Sequence, residues 1–129
     1  EVSNFAFSPI DILLLGPIFT GPLITHSPNI VNIDLSNEVF SWNITMMDHD
    51  AHGIFDDQGN RTNIEKDIII GNNVWIGCNS TILKGVEISH DILIGANSVV
   101  TKKIEASNVV LAGNPVEIKK KNTTWGGFY

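Results

Sequence analysis

IEKDIIIGNNVWIGCNSTILKGVEISHDILIGANSVVTKKIE, residues 64–105, divides into seven hexads, each opening on an aliphatic residue. The openers are Ile64, Ile70, Ile76, Ile82, Ile88, Ile94 and Val100, and the fifth position is small or aliphatic at Val74, Ser80, Val86 and Ser98. A period of six fits neither a helix nor a simple hairpin sheet. It suits a chain that runs a short strand, turns and repeats, which predicts an all-β, parallel β-helix of hexapeptide repeats. Each opener should point inward and stack on its equivalent one coil away. Gly71, Asn72, Asn73, Asn79 and Asn97 should form the corners, where a positive φ costs Gly and Asn little.

A shorter run of the same kind precedes this stretch, with openers expected at Leu35, Ser41 and Met47. From 47 to 64 the spacing is 17, not a multiple of six, so residues 48–63 should leave the coils and return. That excursion carries MDHDAHGIFD, residues 47–56, a polar island with two histidines and Asp48, Asp50 and Asp56, adjoined by Asp57. Loops held on a rigid scaffold are where functional side chains concentrate. Residues 1–30 keep no clear phase. After Val100 the coils should end at a Gly113-Asn114-Pro115 turn, leaving Lys119–Lys121 and Trp125 in a terminal tail or cap over about 114–129.

With 129 residues the chain is long enough for one domain, 1–129, and too short for two. A net charge of −6 argues against general nucleic-acid binding, which needs a basic face. Six of the eight basic residues lie after position 80, so a local basic patch for a phosphorylated ligand remains available. The lone Cys78 excludes an internal disulfide and fits a reducing compartment, hence a cytoplasmic location. The apolar stretch 10–25 is broken by Asp11, Gly16, Pro17, Gly21 and Pro22, unlike a spanning helix or a signal peptide. The chain opens at Glu1 without an initiator methionine, as a processed chain or a piece of a longer one would.

IGNNVWIGCNSTILKGVEIS, ILIGANSVVTKKI and VLAGNPVEI resemble the hexapeptide-repeat acyltransferases, and SWNITMMDHDAHGIFD resembles the matching stretch of their sugar and polysaccharide O-acetyltransferases. The resemblance covers roughly residues 33–125. It implies a left-handed coil, a homotrimer, and active sites in grooves between neighbouring prisms. It also implies acetyl-CoA as acyl donor and a sugar hydroxyl as acceptor, in surface-polysaccharide or lipopolysaccharide assembly. An N-acyltransferase on an amino sugar, a xenobiotic acetyltransferase and a catalytically inactive β-helix binding module are the alternatives.

The family places its base in a stretch like D-x-D-x-H followed by an aliphatic residue, which identifies His52 in Asp48-His49-Asp50-Ala51-His52-Gly53-Ile54. Attack by a hydroxyl on a thioester needs its proton removed as the bond forms, a task for a histidine with a pKa near the working pH. Asp50 or Asp56 is the expected orienting carboxylate, and His49 an alternative loop residue. By the same resemblance Trp75, Gly77, Cys78, Gly95, Ala96, Thr101, Lys102 and Lys103 should contact the donor, Lys103 standing where aspartate is common. Cys78 would act through its backbone N–H as an oxyanion donor. A zinc site is not expected, because His49 and His52 are three apart and no third histidine is placed beside them.

Overall fold

The computed structural model describes residues 4–7, 31–34 and 39–126. Most of the unphased N-terminal segment, including the opener expected at Leu35, lies outside the described residues. Three sheets are built in rotation. The first joins β1 (Asn4–Phe7), β2 (Val31–Asp34), β5 (Ile68–Ile70) and β8 (Glu87–Ile88) in that order. The second runs β12 (Val116–Lys121), β11 (Val109–Gly113), β9 (Ile92–Ile94), β6 (Val74–Ile76), β3 (Val39–Phe40). The third runs β10 (Val99–Val100), β7 (Thr81–Leu83), β4 (Thr45–Met47). All pairings are parallel except β1 with β2 and β11 with β12. Val74 pairs with Ile92, Thr81 with Val99 and Ile69 with Glu87, so three hexads return the chain to the same sheet.

Strand alternation puts two positions of each hexad inside. Ile70, Ile76, Ile82, Ile88, Ile94 and Val100 are buried at the first position, and Ile68, Val74, Ser80, Val86, Ile92 and Ser98 at the fifth. Burying an isoleucine of this kind contributes about 1.5–3 kcal/mol. The two serines stay inside because each has a bond: Ser98 Oγ donates to the Gly95 carbonyl at 2.6 Å and Ser80 Oγ donates to it at 3.2 Å.

Three expectations need correction. Ile64 is 53% exposed, so the inward stack begins at Ile68 and Ile70. In the upstream run the inward side chains are Phe40, Ile44 and Met46, while Ser41 and Met47 are half-buried: the phase is one residue earlier than expected. Met46 and Ile70 are therefore separated by whole hexads, and the spacing count was no evidence for an excursion. Between β4 and β5, residues 48–67 hold only an isolated antiparallel bridge, Phe55 with Arg61. Third, the left-handed corners are Asn43, Asn79 and Asn97 in one column and Asn73, Asp91 and Asn108 in another, with φ of 55–59°. Gly71 and Asn72 are not among them. Gly71 is required by proximity, since a Cβ there would lie 2.5 Å from the Ser89 carbonyl oxygen of the next coil.

The C-terminal lysines lie on a strand rather than in a tail. β12 folds back antiparallel on β11 and forms the edge of its sheet, with Lys119, Lys120 and Lys121 exposed. Lysines on an edge strand discourage further strand pairing. Trp125 then crosses back, donating its indole N–H to the Asn73 carbonyl at 2.9 Å. No helix among the described residues is long and apolar enough to cross a membrane.

Candidate active site

Residues 48–67 leave the end of β4 and feed β5, and the Lys66 N–H closes their root on the Asp48 carbonyl at 3.0 Å. Asp48 is fully buried at this root, with His49 Nδ1 3.5 Å from its Oδ1. Asp50 is held by Lys84 Nζ and by Asn63 Nδ2, the latter at 2.8 Å. The Lys84 hydrogen bond, and after it that of Asn63, keeps the Asp50 carboxyl below the usual range. His52 is exposed, and among the described residues its ring makes no hydrogen bond.

The carboxylates expected to orient that ring are occupied elsewhere. Asp56 caps a turn, its Oδ1 accepting from the backbone N–H groups of Gln58 at 2.9 Å and Asn60 at 2.8 Å, as an Asx turn does. Those bonds, that of Asn60 first, lower its pKa. Asp50 reaches Lys84 and Asn63 and not the imidazole. Sequence reasoning missed Asn63, which is 9% exposed amid exposed neighbours. In GNRTN it has the composition of a plain turn, and no signal in the sequence marks it.

Three of the segment's carboxylates, Asp50, Asp56 and Glu65, have lowered pKa values, Glu65 through its own backbone N–H and then Arg61. A depressed carboxyl pKa contributes stability that is present above the unfolded value of about 4 and is lost as pH falls through the folded value. Acidification from about pH 5 to about pH 3 should therefore loosen residues 50–65 before the coils. Pepsin cleavage mapped by mass spectrometry checks this: early cuts in 50–65 are expected, and first cuts within the coils would contradict it.

The residues expected at the donor divide into two groups. Trp75, on β6, is partly exposed; it donates to Ser41 Oγ at 3.3 Å and meets Trp125 edge-on, ring centres 6.0 Å apart. Gly77, Cys78, Gly95 and Ala96 form the corner entering the three-stranded sheet. A Cβ on Gly77 would lie 2.5 Å from the Ala96 nitrogen, so only glycine lets these coils stack. Gly77 N–H and Gly95 N–H bond to the next coil at Ile94 and Leu111, whereas the Cys78 and Ala96 amides donate to no acceptor among the described residues. The half-buried Cys78 side chain makes no disulfide.

The second group lies where the chain leaves that sheet, on the same side as the 48–67 segment. Thr101 and Lys102 are exposed there and border a concavity of about 370 Å³ whose apolar walls include Ile104, Leu111, Val116 and Ile118. Lys103 is paired with Glu87 at 2.7 Å, which raises its pKa. One chain thus places His52 and Thr101–Lys103 on one flank of β10-β7-β4 and the Gly77–Cys78 and Gly95–Ala96 corner on the other. Among the described residues, no group of three or more His, Cys, Asp or Glu side chains is placed to hold a metal ion.

Comparison with known proteins agrees with this architecture. The bacterial transferase hexapeptide family (six repeats) matches residues 67–102. A polysialic acid O-acetyltransferase of Neisseria meningitidis is 68% identical over 78 residues, covering 60% of this chain and 36% of that protein. The crystal structure of the polysialic acid O-acetyltransferase OatWY superposes with a TM-score of 0.72 at 30% identity, covering 87% of this chain and 63% of that one. A galactoside acetyltransferase in complex with coenzyme A gives 0.60 at 31% identity, covering 82% and 56%. The chain thus spans about a third of the curated relative. In its repeats, its largely parallel sheets and these likenesses, the chain resembles the hexapeptide-repeat acyltransferases, and among them the sugar and polysaccharide O-acetyltransferases.

Proposed function

We propose that the protein is an acetyl-CoA-dependent O-acetyltransferase acting in the cytoplasm on a sugar hydroxyl of a surface polysaccharide or lipopolysaccharide. The observation that carries the reading is an exposed histidine on a segment pinned to the coil through Asp50 and Lys84. His52 takes the proton of the acceptor hydroxyl as its oxygen attacks the thioester carbonyl carbon, and the coenzyme A thiolate leaves and is protonated. The Cys78 amide meets the developing oxyanion, an assignment supported by its donating to no other acceptor among the described residues. Trp75, on β6 just before the Gly77–Cys78 corner, would line the pantetheine arm. The relatives named for polysialic acid and galactoside acetylation support a glycan acceptor. A coupled assay tests the reading: acetyl-CoA should release free thiol only when an acceptor glycan is present, and thiol release that ignores every glycan would sink it.

The coil is left-handed in this reading, and 48–63 protrudes from it as the catalytic loop. Because His52 and Cys78 lie beyond opposite strand ends of one sheet, a complete site needs His52 of one copy opposite the Cys78 corner of another. Three prisms around an axis supply three such sites. Light scattering at micromolar concentration should therefore give about three times the 14.1 kDa chain mass. A clean monomer with full activity would contradict the shared site.

Charge on the donor side should show the same division. Lys102 is exposed without a salt bridge among the described residues, whereas Lys103 is engaged with Glu87. Lys102→Ala should weaken acetyl-CoA binding, more at low salt than at high salt because exposed ion pairs are screened. Lys103→Ala should do so less. Calorimetry giving unchanged affinity for Lys102→Ala at low salt would return that lysine to a solvated face.

A further inference from the structure

The backbone beneath His52 is bent. Ala51 has φ 63°, and the His52 N–H donates to the Asp50 carbonyl at 2.7 Å, so three residues close a turn about a left-handed alanine. That conformation is disfavoured for any residue with a Cβ, and it persists where the surroundings over-determine it. Asn63 supplies the determination. Its Nδ2 donates both to Asp50 Oδ2 and to the His52 carbonyl, each at 2.8 Å, while its Oδ1 accepts the Ile54 N–H at 2.7 Å. A single, nearly buried amide therefore grips the chain on both sides of Ala51 and again beyond His52. Lys84, just past β7, bonds to the same Asp50 oxygen and ties the turn to the coil.

We infer that Asn63 is a positioning residue that, with Asp50 and Lys84, holds the strained turn and so aims the His52 imidazole at the acceptor hydroxyl. The inference rests on the reading of His52 as the base. Asn63 touches no reacting atom itself. A purely structural asparagine would change the melting temperature and leave the turnover of the folded protein alone. A positioning one changes kcat at constant KM for acetyl-CoA, because only the approach of base to hydroxyl is degraded.

Asn63→Ala removes these three bonds together with the one its Oδ1 accepts from Arg61 Nε at 3.4 Å. Its kcat should fall roughly 10–100-fold with KM for acetyl-CoA unchanged. The His52 and Ile54 amides should exchange with deuterium faster, while those of Ile82 and Ile94 keep their protection. Asn63→Asp keeps the acceptor for Ile54 but sets a second carboxylate against Asp50 when ionised; its protonated form regains one donor. Its kcat relative to the wild type should therefore rise as pH is lowered toward the carboxyl range, a trend no loss of folding produces. Should Asn63→Ala not fold, Lys84→Ala releases the same Asp50 oxygen and is expected to show the same split. Wild-type kcat and wild-type exchange in Asn63→Ala and Asn63→Asp would overturn the inference, even with His52→Ala inactive. If His52→Ala keeps its turnover, the base assignment fails, and the exchange rates at His52 and Ile54 decide the clamp alone.

Discussion

His52→Ala is expected to lower turnover by roughly 10²–10⁴, the usual worth of a positioned general base, with acetyl-CoA affinity nearly unchanged. The fold should not notice. His52 is exposed and its ring makes no hydrogen bond among the described residues, so its removal opens no cavity and the melting temperature should stay near that of the wild type. His49→Ala should separate the two histidines in the opposite sense. His49 Nδ1 lies 3.5 Å from the carboxylate of fully buried Asp48, so this variant should melt lower while keeping most of its turnover when folded. Steady-state kinetics and calorimetry on the pair decide the matter. Loss of turnover in His49→Ala together with full activity in His52→Ala would mean that the base has been assigned to the wrong histidine.

A large effect on stability is expected at Gly71. An added Cβ would lie 2.5 Å from the Ser89 carbonyl oxygen and 3.1 Å from that of Ile88, and both belong to the backbone of the next coil. No side chain can give way. The coils must part where the Gly71 N–H bonds to the Ile88 carbonyl at 2.8 Å. Gly71→Ala should cost roughly 2–3 kcal/mol, lowering the melting temperature by about 8–15 °C. Gly59 is the contrast. Its neighbourhood is open but its φ is +84°, so alanine there meets only backbone strain and should cost about 1 kcal/mol. Thermal unfolding in which Gly71→Ala melts with the wild type would show that the coils are packed less closely than described.

The hexads were legible because burial in a β-helix repeats with the sequence period. First and fifth positions from Ile68 to Val100 face inward together, and every aliphatic opener from Ile70 onward could be named from its spacing. The upstream coil was misread by one residue. Its buried set ends in Asp48, a polar residue at a place where an apolar one is expected, while the polar Ser41 and half-buried Met47 fit a six-residue count equally well. Ile64 was misassigned for a related reason: it sits in phase with the coils, but β5 begins only at Ile68.

At the candidate site, His52 could be proposed because its D-x-D-x-H setting resembles that of the family. The partners of Asp50 could not. Lys84 and Asn63 reach it across 34 and 13 residues of sequence, and each alone has the composition of an ordinary turn. The lysines at 119–121 looked like a solvated run, yet the β11–β12 pairing makes them the edge of a sheet. Side-chain chemistry marks such residues poorly; only the pairing of strands assigns their place.

The proposed reaction passes an acetyl group from coenzyme A to a sugar hydroxyl with His52 as the base. It is tested most directly by incubating the protein with acetyl-CoA labelled with ¹³C in the acetyl group and an oligosaccharide acceptor, then recording the carbon spectrum of the recovered glycan. An O-acetyl ester resonance is expected on the glycan with the wild type, reduced to background with His52→Ala, with no labelled acetyl on the protein. Label retained on Cys78, or ester formed equally well by His52→Ala, would contradict it.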